Sequence, residues 1–425
     1  MRRLALLVLF AAGCLTAAAP FSFKIGRTSE VVAELQMRAA GADWGRAGSE
    51  AALVTVILNG KPSQHVMLFA GEMPYTYRVF LGELSFGEHK LEIERHEGYS
   101  AKSAQVEVLG ASFIEIPEAD PNHAAFAHAP ILFARQNTIG KFSDIPLLTY
   151  CERLEENGQA FLQYTVIFSN EDGGTSTRAL MARWGRTTDI EYVYRVYLDG
   201  RGRVTRAIIQ SRDHKDIEFQ GPREGRHPLL MPVTDNNMVA PEGPSAIRYQ
   251  PAPVLVDLSG SSREKVMEDH PVTWQVMAQE LVREGKLRAF GAVDGQKISD
   301  PRNYLYIEAN VTNNDSRTVA VVRLEGENKW RFADLGRIDY GIERSGWIQT
   351  ALELPPGTMP IRLAEIGFAC RVETNKQISG VCRIEQVSKA FFLDRNYRPG
   401  APVWKMNDPH QIQSGEVLTW PVRSR

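Results

Sequence analysis

Residues 164–197 read YTVIFSNEDGGTSTRALMARWGRTTDIEYVYRVY. Two runs rich in β-branched and aromatic residues flank a polar turn, Asn170-Glu171-Asp172-Gly173-Gly174. That composition predicts two β-strands joined across the turn. The basic, aromatic segment Arg183-Trp184-Gly185-Arg186 leads into the second run. From Asp189 to Tyr194 the side chains alternate. Asp189, Glu191 and Val193 are expected on one face and Ile190, Tyr192 and Tyr194 on the other. Acids opposite aromatics suit a strand at the wall of a cleft.

Strand signals continue in both directions. Upstream, FSFKIG, VVAELQMR and ALVTVIL (within residues 21–58) precede the Asn59-Gly60 turn. PYTYRVFLGEL, EHKLEIERH and AQVEVLG follow at the short, regular spacing of a sandwich. The phrase LGELSFGEHKLEIER (residues 81–95) resembles the last hairpin of an immunoglobulin- or fibronectin-like module. This resemblance implies a fold and no activity. Residues 111–130, rich in Pro, Ala and His, read as a linker or covering loop. His123 and His128 lie in it, five apart, with no third metal ligand in a standard pattern.

Downstream, IEYVYRVYLD and RVTRAIIQSR are strand candidates. Three polar knots follow: Asp213-His214 with Asp216, His227-Pro228, and Asp235-Asn236-Asn237. Beyond the proline-rich seam at 241–253, His270 to Leu287 carries Trp274, Met277, Leu281 and Val282 at helical spacing, with Gly285 as a stop. WIQTALELPPG, IRLAEIGFACRVE and GVCRIEQVSKAFFLD resemble the closing half of a galactose-binding-like jelly roll. The expected fold class is thus mainly β. An immunoglobulin-like sandwich (20–110) is followed by a central β domain with a polar loop cluster (131–250) and a jelly-roll-like domain with a single clear helix (255–425).

Arg2 and Arg3, an apolar run from Leu4 to about Leu15 and the small residues Thr16 to Ala19 have the order of a secretory signal, expected to span residues 1–18. Secreted or periplasmic export is the expectation; Ala12-Gly13-Cys14 offers the alternative of a lipid anchor on Cys14. No later stretch is apolar enough to span a bilayer. With 43% hydrophobic and 24% charged residues and a net charge of −2, the chain is globular. It lacks the basic excess of a nucleic-acid binder. An oxidising compartment permits a disulfide, and Cys370 and Cys382 are the expected pair, across a hairpin through TNKQISG (residues 374–380). Cys151 is left over and is expected in the core, where no histidine activates it.

No phosphate loop, dinucleotide fingerprint, HExxH helix, CxxC pair or GxSxG elbow occurs, which removes nucleotide enzymes, zincins and α/β-hydrolases. Three chemistries remain. A carbohydrate-active hydrolase or lyase would need an acid pair from Asp172, Asp189 and Glu191 (with Glu171 near), with His227 as a relay. Trp184, Tyr192, Arg183, Arg186 and His214 would then contact ligand. A calcium site would draw oxygens from Asn170, Asp172, Asp235 and Asn236. The third is recognition of a glycan or cell-envelope component without catalysis, and it is the reading the chain as a whole favours. Against the carboxylate chemistry, Asp172 could cap its turn while Asp189 and Glu191 pair with Arg183 and Arg186.

Overall fold

The computed structural model describes residues 20–171, 173, 175–241, 245–292, 295–372 and 380–422. The signal-like segment with Cys14, the loop 373–379 and Asp172 lie outside them. The protein is mainly β, 48% strand and 11% helix, with several sandwich-type sheets. It divides into two compact units. Unit 1 comprises residues up to Gly173 together with Thr188–Asp257, and unit 2 comprises Gly174–Thr187 together with Leu258–Arg425.

Unit 1 begins with seven strands: β1 (Phe21–Ile25), β2 (Ser29–Ala40), β3 (Leu53–Leu58), β4 (Lys61–Met67), β5 (Tyr75–Leu84), β6 (Gly87–Arg95) and β7 (Gln105–Ile116). They form two sheets, ordered β1-β6-β3-β4 and β5-β2-β7. Asn59 (φ 52°) and Gly60 (φ 75°) both take left-handed backbone and close the β3–β4 hairpin, as an Asn-Gly pair should. The 81–95 phrase is not a hairpin. β5 pairs with β2, whereas β6 pairs with β1 and β3 in the other sheet. Ser85 and Phe86 carry the chain between sheets, and Gly87 at φ 137° supplies a turn other residues resist. Nor is 111–130 all linker. β7 occupies its start, and helix α1 (His123–Ala127) buries Ala125, Phe126 and Ala127. Tyr164 donates from its hydroxyl to the Ala125 carbonyl (2.9 Å). Burial pushes His128 down to about 4 and leaves it neutral.

The central part of unit 1 holds β8 (Ile131–Phe133), β9 (Pro146–Glu156), β10 (Gln159–Phe168), β11 (Asp189–Leu198), β12 (Val204–Gln210), β13 (Asp216–Glu218), β14 (Arg223–Glu224), β15 (His227–Pro232), β16 (Val239–Ala240), β17 (Arg248–Tyr249) and β18 (Val254–Val256). One sheet runs β13-β12-β11-β10-β9-β18; a smaller one runs β14-β15-β8-β17. β11 departs from simple alternation. Tyr164 pairs with Tyr194 and Thr165 with Tyr192, so Val193 is an extra residue, a β-bulge. The bulge reverses the phase. Tyr194 joins the face of Asp189 and Glu191, while Tyr192 shares its face with Arg195, whose guanidinium lies 4.1 Å from the Tyr192 ring centroid. Cys151 is buried at the centre of β9, and burial pushes its thiol up to about 12.

In unit 2, β19 (Tyr304–Asn314), β20 (Arg317–Leu324), β21 (Trp330–Phe332), β22 (Gly346–Glu353), β23 (Leu363–Arg371), β24 (Val381–Phe391), β25 (Trp404–Met406), β26 (His410–Gln413) and β27 (Val417–Pro421) make two sheets. Their orders are β22-β19-β24-β25, with β26 also on β24, and β21-β20-β23-β27. Between them lies a core of Leu305, Ile307, Val321, Ile366, Phe368 and Ile384. The disulfide Cys370–Cys382 is present, with Cα atoms 5.5 Å apart. It does not bridge a hairpin, because β23 and β24 sit in opposite sheets. It crosses the sandwich, and both cysteines are fully buried in that core.

Among the described residues unit 2 holds three α-helices: α2 (Thr177–Trp184), and, in the 255–425 region where a single one was expected, both α3 (Lys265–Asp269) and α4 (Val272–Arg283). Helix α4 is the anticipated one and ends before Gly285 (φ 62°). Trp274, Met277 and Leu281 face the core, but Val282 is 52% exposed, being one position off the stripe. Helix α2 lies in the quoted stretch where strand–turn–strand was expected. The Ser176 hydroxyl caps it by accepting from the Ala179 amide (3.2 Å), and Gly185 ends it in left-handed backbone.

Candidate functional site

Helix α2 is fixed at both ends within unit 2. Ser176 Oγ and the Tyr340 hydroxyl are 3.0 Å apart, and Thr350 Oγ1 donates to the Ala182 carbonyl (2.5 Å). Ala179 and Ala182 pack against Tyr340. Short side chains on this face let the helix sit close to β22, and that seats Arg183 and Trp184 beside the loop 341–344. Ile342 pairs with Thr318 of β20 through two backbone hydrogen bonds of 2.9 Å. Asn313 Nδ2 donates to the carbonyls of Ile342 (3.1 Å) and Arg344 (3.0 Å). The loop is thus tied to β19 and β20 by four hydrogen bonds and cannot drift from the helix end.

Between them is a cleft of about 260 Å³, lined by Arg183, Trp184, Arg317, Gly341, Ile342, Glu343 and Arg344. Arg317 and Glu343 form an ion pair at 2.8 Å, and the Glu343 side chain is 74% exposed. Arg183 donates to the Asp339 carbonyl, while its Nε has no acceptor. Gly341 is needed here: a Cβ would lie 2.9 Å from Cβ of Arg317. We expect Gly341→Ala to cost about 1–3 kcal/mol by overpacking, read as a lower midpoint in urea unfolding.

Arg186 sits behind Trp184. Its guanidinium is 5.5 Å from the indole centroid, and its Nε donates to Glu264 Oε1 (3.0 Å). Both partners are essentially fully buried. Burial pushes the Glu264 carboxyl up, but the guanidiniums of Arg186, Arg344 and Arg263 outweigh it and hold the group below the usual carboxylate range.

The other expected site residues gather in unit 1 or stand apart. A polar knot joins buried Arg135, Asp144, Asn170, Asp189 and Asn237 with the exposed Asp235. Asn237 Nδ2 donates to Asp189 (3.0 Å) and Asp144 (3.4 Å). Arg135 pairs with both Asp144 and Asp235. The Asn170 carbonyl oxygen accepts from the Asp144 amide (2.9 Å). Asp144 and Asn237 carry left-handed backbone, φ 53° and 55°. The void beside the knot is about 10 Å³, room for one water. Glu191 is half-buried along β11, next to the Gln210 amide.

Asn236 meets His214 (2.8 Å), which is exposed. His227 is buried, faces the Ala129 carbonyl (2.9 Å) and meets Phe80 edge-on; burial lowers its pKa. Tyr192 donates to Asp216, which also pairs with Arg195 (2.9 Å). Of the calcium candidates, Asn170 and Asp235 bind protein donors, Asn236 meets His214, and Asp172 is outside the described residues. Among the described residues no three His, Cys, Asp or Glu side chains are grouped to hold a metal.

Arg317, Glu343 and Arg344 were not singled out in the sequence. They are far from Trp184 along the chain and carry no local motif; only strand pairing and helix docking bring them together.

No protein-family model matches the chain, and no curated protein matches it significantly. Solved structures similar in part include the sugar-binding C-terminal domain of EclA, at 14% identity and TM-score 0.18, covering 25% of this chain and 83% of that one. NLPPya in complex with mannosamine matches at 11% identity and TM-score 0.24, over 43% and 85%. A family two carbohydrate esterase from Clostridium thermocellum with cellohexaose matches at 15% identity and TM-score 0.15, over 28% and 30%. At these TM-scores the likenesses carry no argument about ligand.

Proposed function

We propose that the chain is an exported glycan- or envelope-binding protein whose ligand enters the cleft at Trp184. The observation that carries this reading is an indole set in a 260 Å³ cleft at a helix end, rimmed by hydrogen-bonding side chains. Such a combination of flat apolar surface and polar rim suits a sugar ring, which has an apolar face and hydroxyl edges. The buried Cys370–Cys382 disulfide supports an oxidising compartment.

Carboxylate chemistry is the second reading, with Asp189 and Asp144 sharing the Asn237 amide in place of Asp189 with Glu191. Both carboxylates are buried and engaged by the Asn237 amide, which supports binding over hydrolysis. Affinity electrophoresis and calorimetry against a panel of soluble polysaccharides test the proposal. Trp184→Ala is expected to weaken binding by about 2 kcal/mol, roughly 30-fold. Retention of full affinity in that variant, or product release from the polysaccharides, would sink it.

A further inference from the structure

We infer that the seam joining the N-terminal sandwich to the central strands of unit 1 is a latch that acid opens by charging His65, His128 and His227. Backbone contacts hold the seam. Val79 of β5 bridges Pro251, the Phe80 amide donates to the Gln250 carbonyl (3.0 Å), and the Ala252 amide donates to the Arg78 carbonyl (3.0 Å). A histidine sits on three of the elements that meet there: His65 on β4, His128 at the end of α1 and His227 on β15.

Each ring is placed to be neutral. His65 Nδ1 accepts from the Arg248 amide of β17 (3.2 Å) and needs its lone pair to do so. The Arg248 carbonyl, 3.3 Å from the same atom, would return only part of that bond to a protonated ring. His128 Nδ1 is buried with no hydrogen-bond partner, so a proton there would have nothing to meet. His227 Nδ1 faces the Ala129 carbonyl (2.9 Å), and its ring packs edge-on against Phe80 of the sandwich. Burial lowers all three, His65 and His128 to about 4.

The charges around them are already matched. Arg226 pairs with Glu30 (2.9 Å) and Glu83 (3.4 Å), and Arg248 pairs with Glu224 (2.6 Å). Arg223, Arg226, His123 and His227 face His128, and His96 and Arg248 face His65. His227 faces Arg226 and Arg248, and the one acid beside it, Glu224, is taken by Arg248. An added proton therefore meets guanidiniums or other imidazoles. Folded values below the ordinary 6.5 mean that closure is fully favoured above pH 6.5 and lost as pH falls toward 4. Glu30 works the other way. Burial raises its carboxyl, so its protonation offsets part of the loss.

Hydrogen exchange of the full chain, corrected for the intrinsic rate at each pH, tests the latch. Peptides covering residues 78–81 and 248–252 are expected to lose about tenfold or more protection between pH 7 and pH 5, while β10 keeps its own. In a His65→Gln, His128→Phe double variant that pH ratio should fall to about threefold or less. The ratio is taken within one protein, so a general loss of stability in the variant cancels. Seam protection that holds at pH 5, a loss spread equally over β10, or a ratio unchanged in the variant would overturn the inference.

Discussion

Replacing Glu264 with glutamine is expected to destabilise the protein by about 3–5 kcal/mol. Glu264 and Arg186 are a fully buried pair, and Arg344 and Arg263 also face that carboxylate. Removing its charge leaves guanidinium groups in a low-dielectric interior with less to balance them, which costs far more than an intact pair contributes. The sign with pH follows from the depressed pKa. The carboxylate's contribution is complete above the unfolded value of about 4.5 and is lost as pH falls through the lower folded value. Urea unfolding from pH 7 down to 3 checks this: the wild type should lose part of its stability on acidification, and the Glu264→Gln gap should narrow. A gap unchanged across that range would refute the assignment. Because Arg186 lies behind Trp184, the variant should also weaken the proposed ligand binding at temperatures where it stays folded.

Cys370→Ala with Cys382→Ala is expected to cost about 3 kcal/mol, the amount associated with closing a short loop in the unfolded chain. The pair are 12 residues apart and join opposite sheets of the unit 2 sandwich. Both sulfurs lie in its core, so the alanines also leave space that the surrounding Val, Ile and Phe side chains must fill. Unfolding of the oxidised, reduced and double-alanine proteins separates the two contributions. If reduction alone changes nothing, the cross-link is idle and only packing matters.

Much of the architecture was legible in local signals. Strand composition at 21–110 and after 304, the Asn59-Gly60 turn and helix α4 all depend on residues near one another in sequence. Several of the failures share one cause. Whether LGELSFGEHKLEIER folds back or crosses to another sheet is decided by partners far along the chain. So is whether Cys370 and Cys382 face each other within a sheet or across two. The bulge at Val193 is invisible in alternation alone, and it moves Tyr194 to the opposite face.

Residues 175–187 misled for a different reason. Ser176 and Gly185 are good helix limits, but the apolar runs on both sides outweighed them. Trp184 and Arg183 stood out as a basic, aromatic segment. The loop 341–344 that completes their cleft has no signal of its own, since arginines and a glycine in a loop are commonplace.

The division of the chain bears on how it is made. Unit 2 is assembled from two separate stretches, Gly174–Thr187 and everything from Leu258 onward. On the ribosome helix α2 therefore emerges long before the sandwich it packs against, and must wait while the remaining strands of unit 1 are synthesised. Neither unit can be released by a single cut between them. Vectorial folding, in which one domain closes before the next appears, is open to the N-terminal sandwich but not to unit 2. The cleft at Trp184 is assembled only when the last third of the polypeptide has arrived.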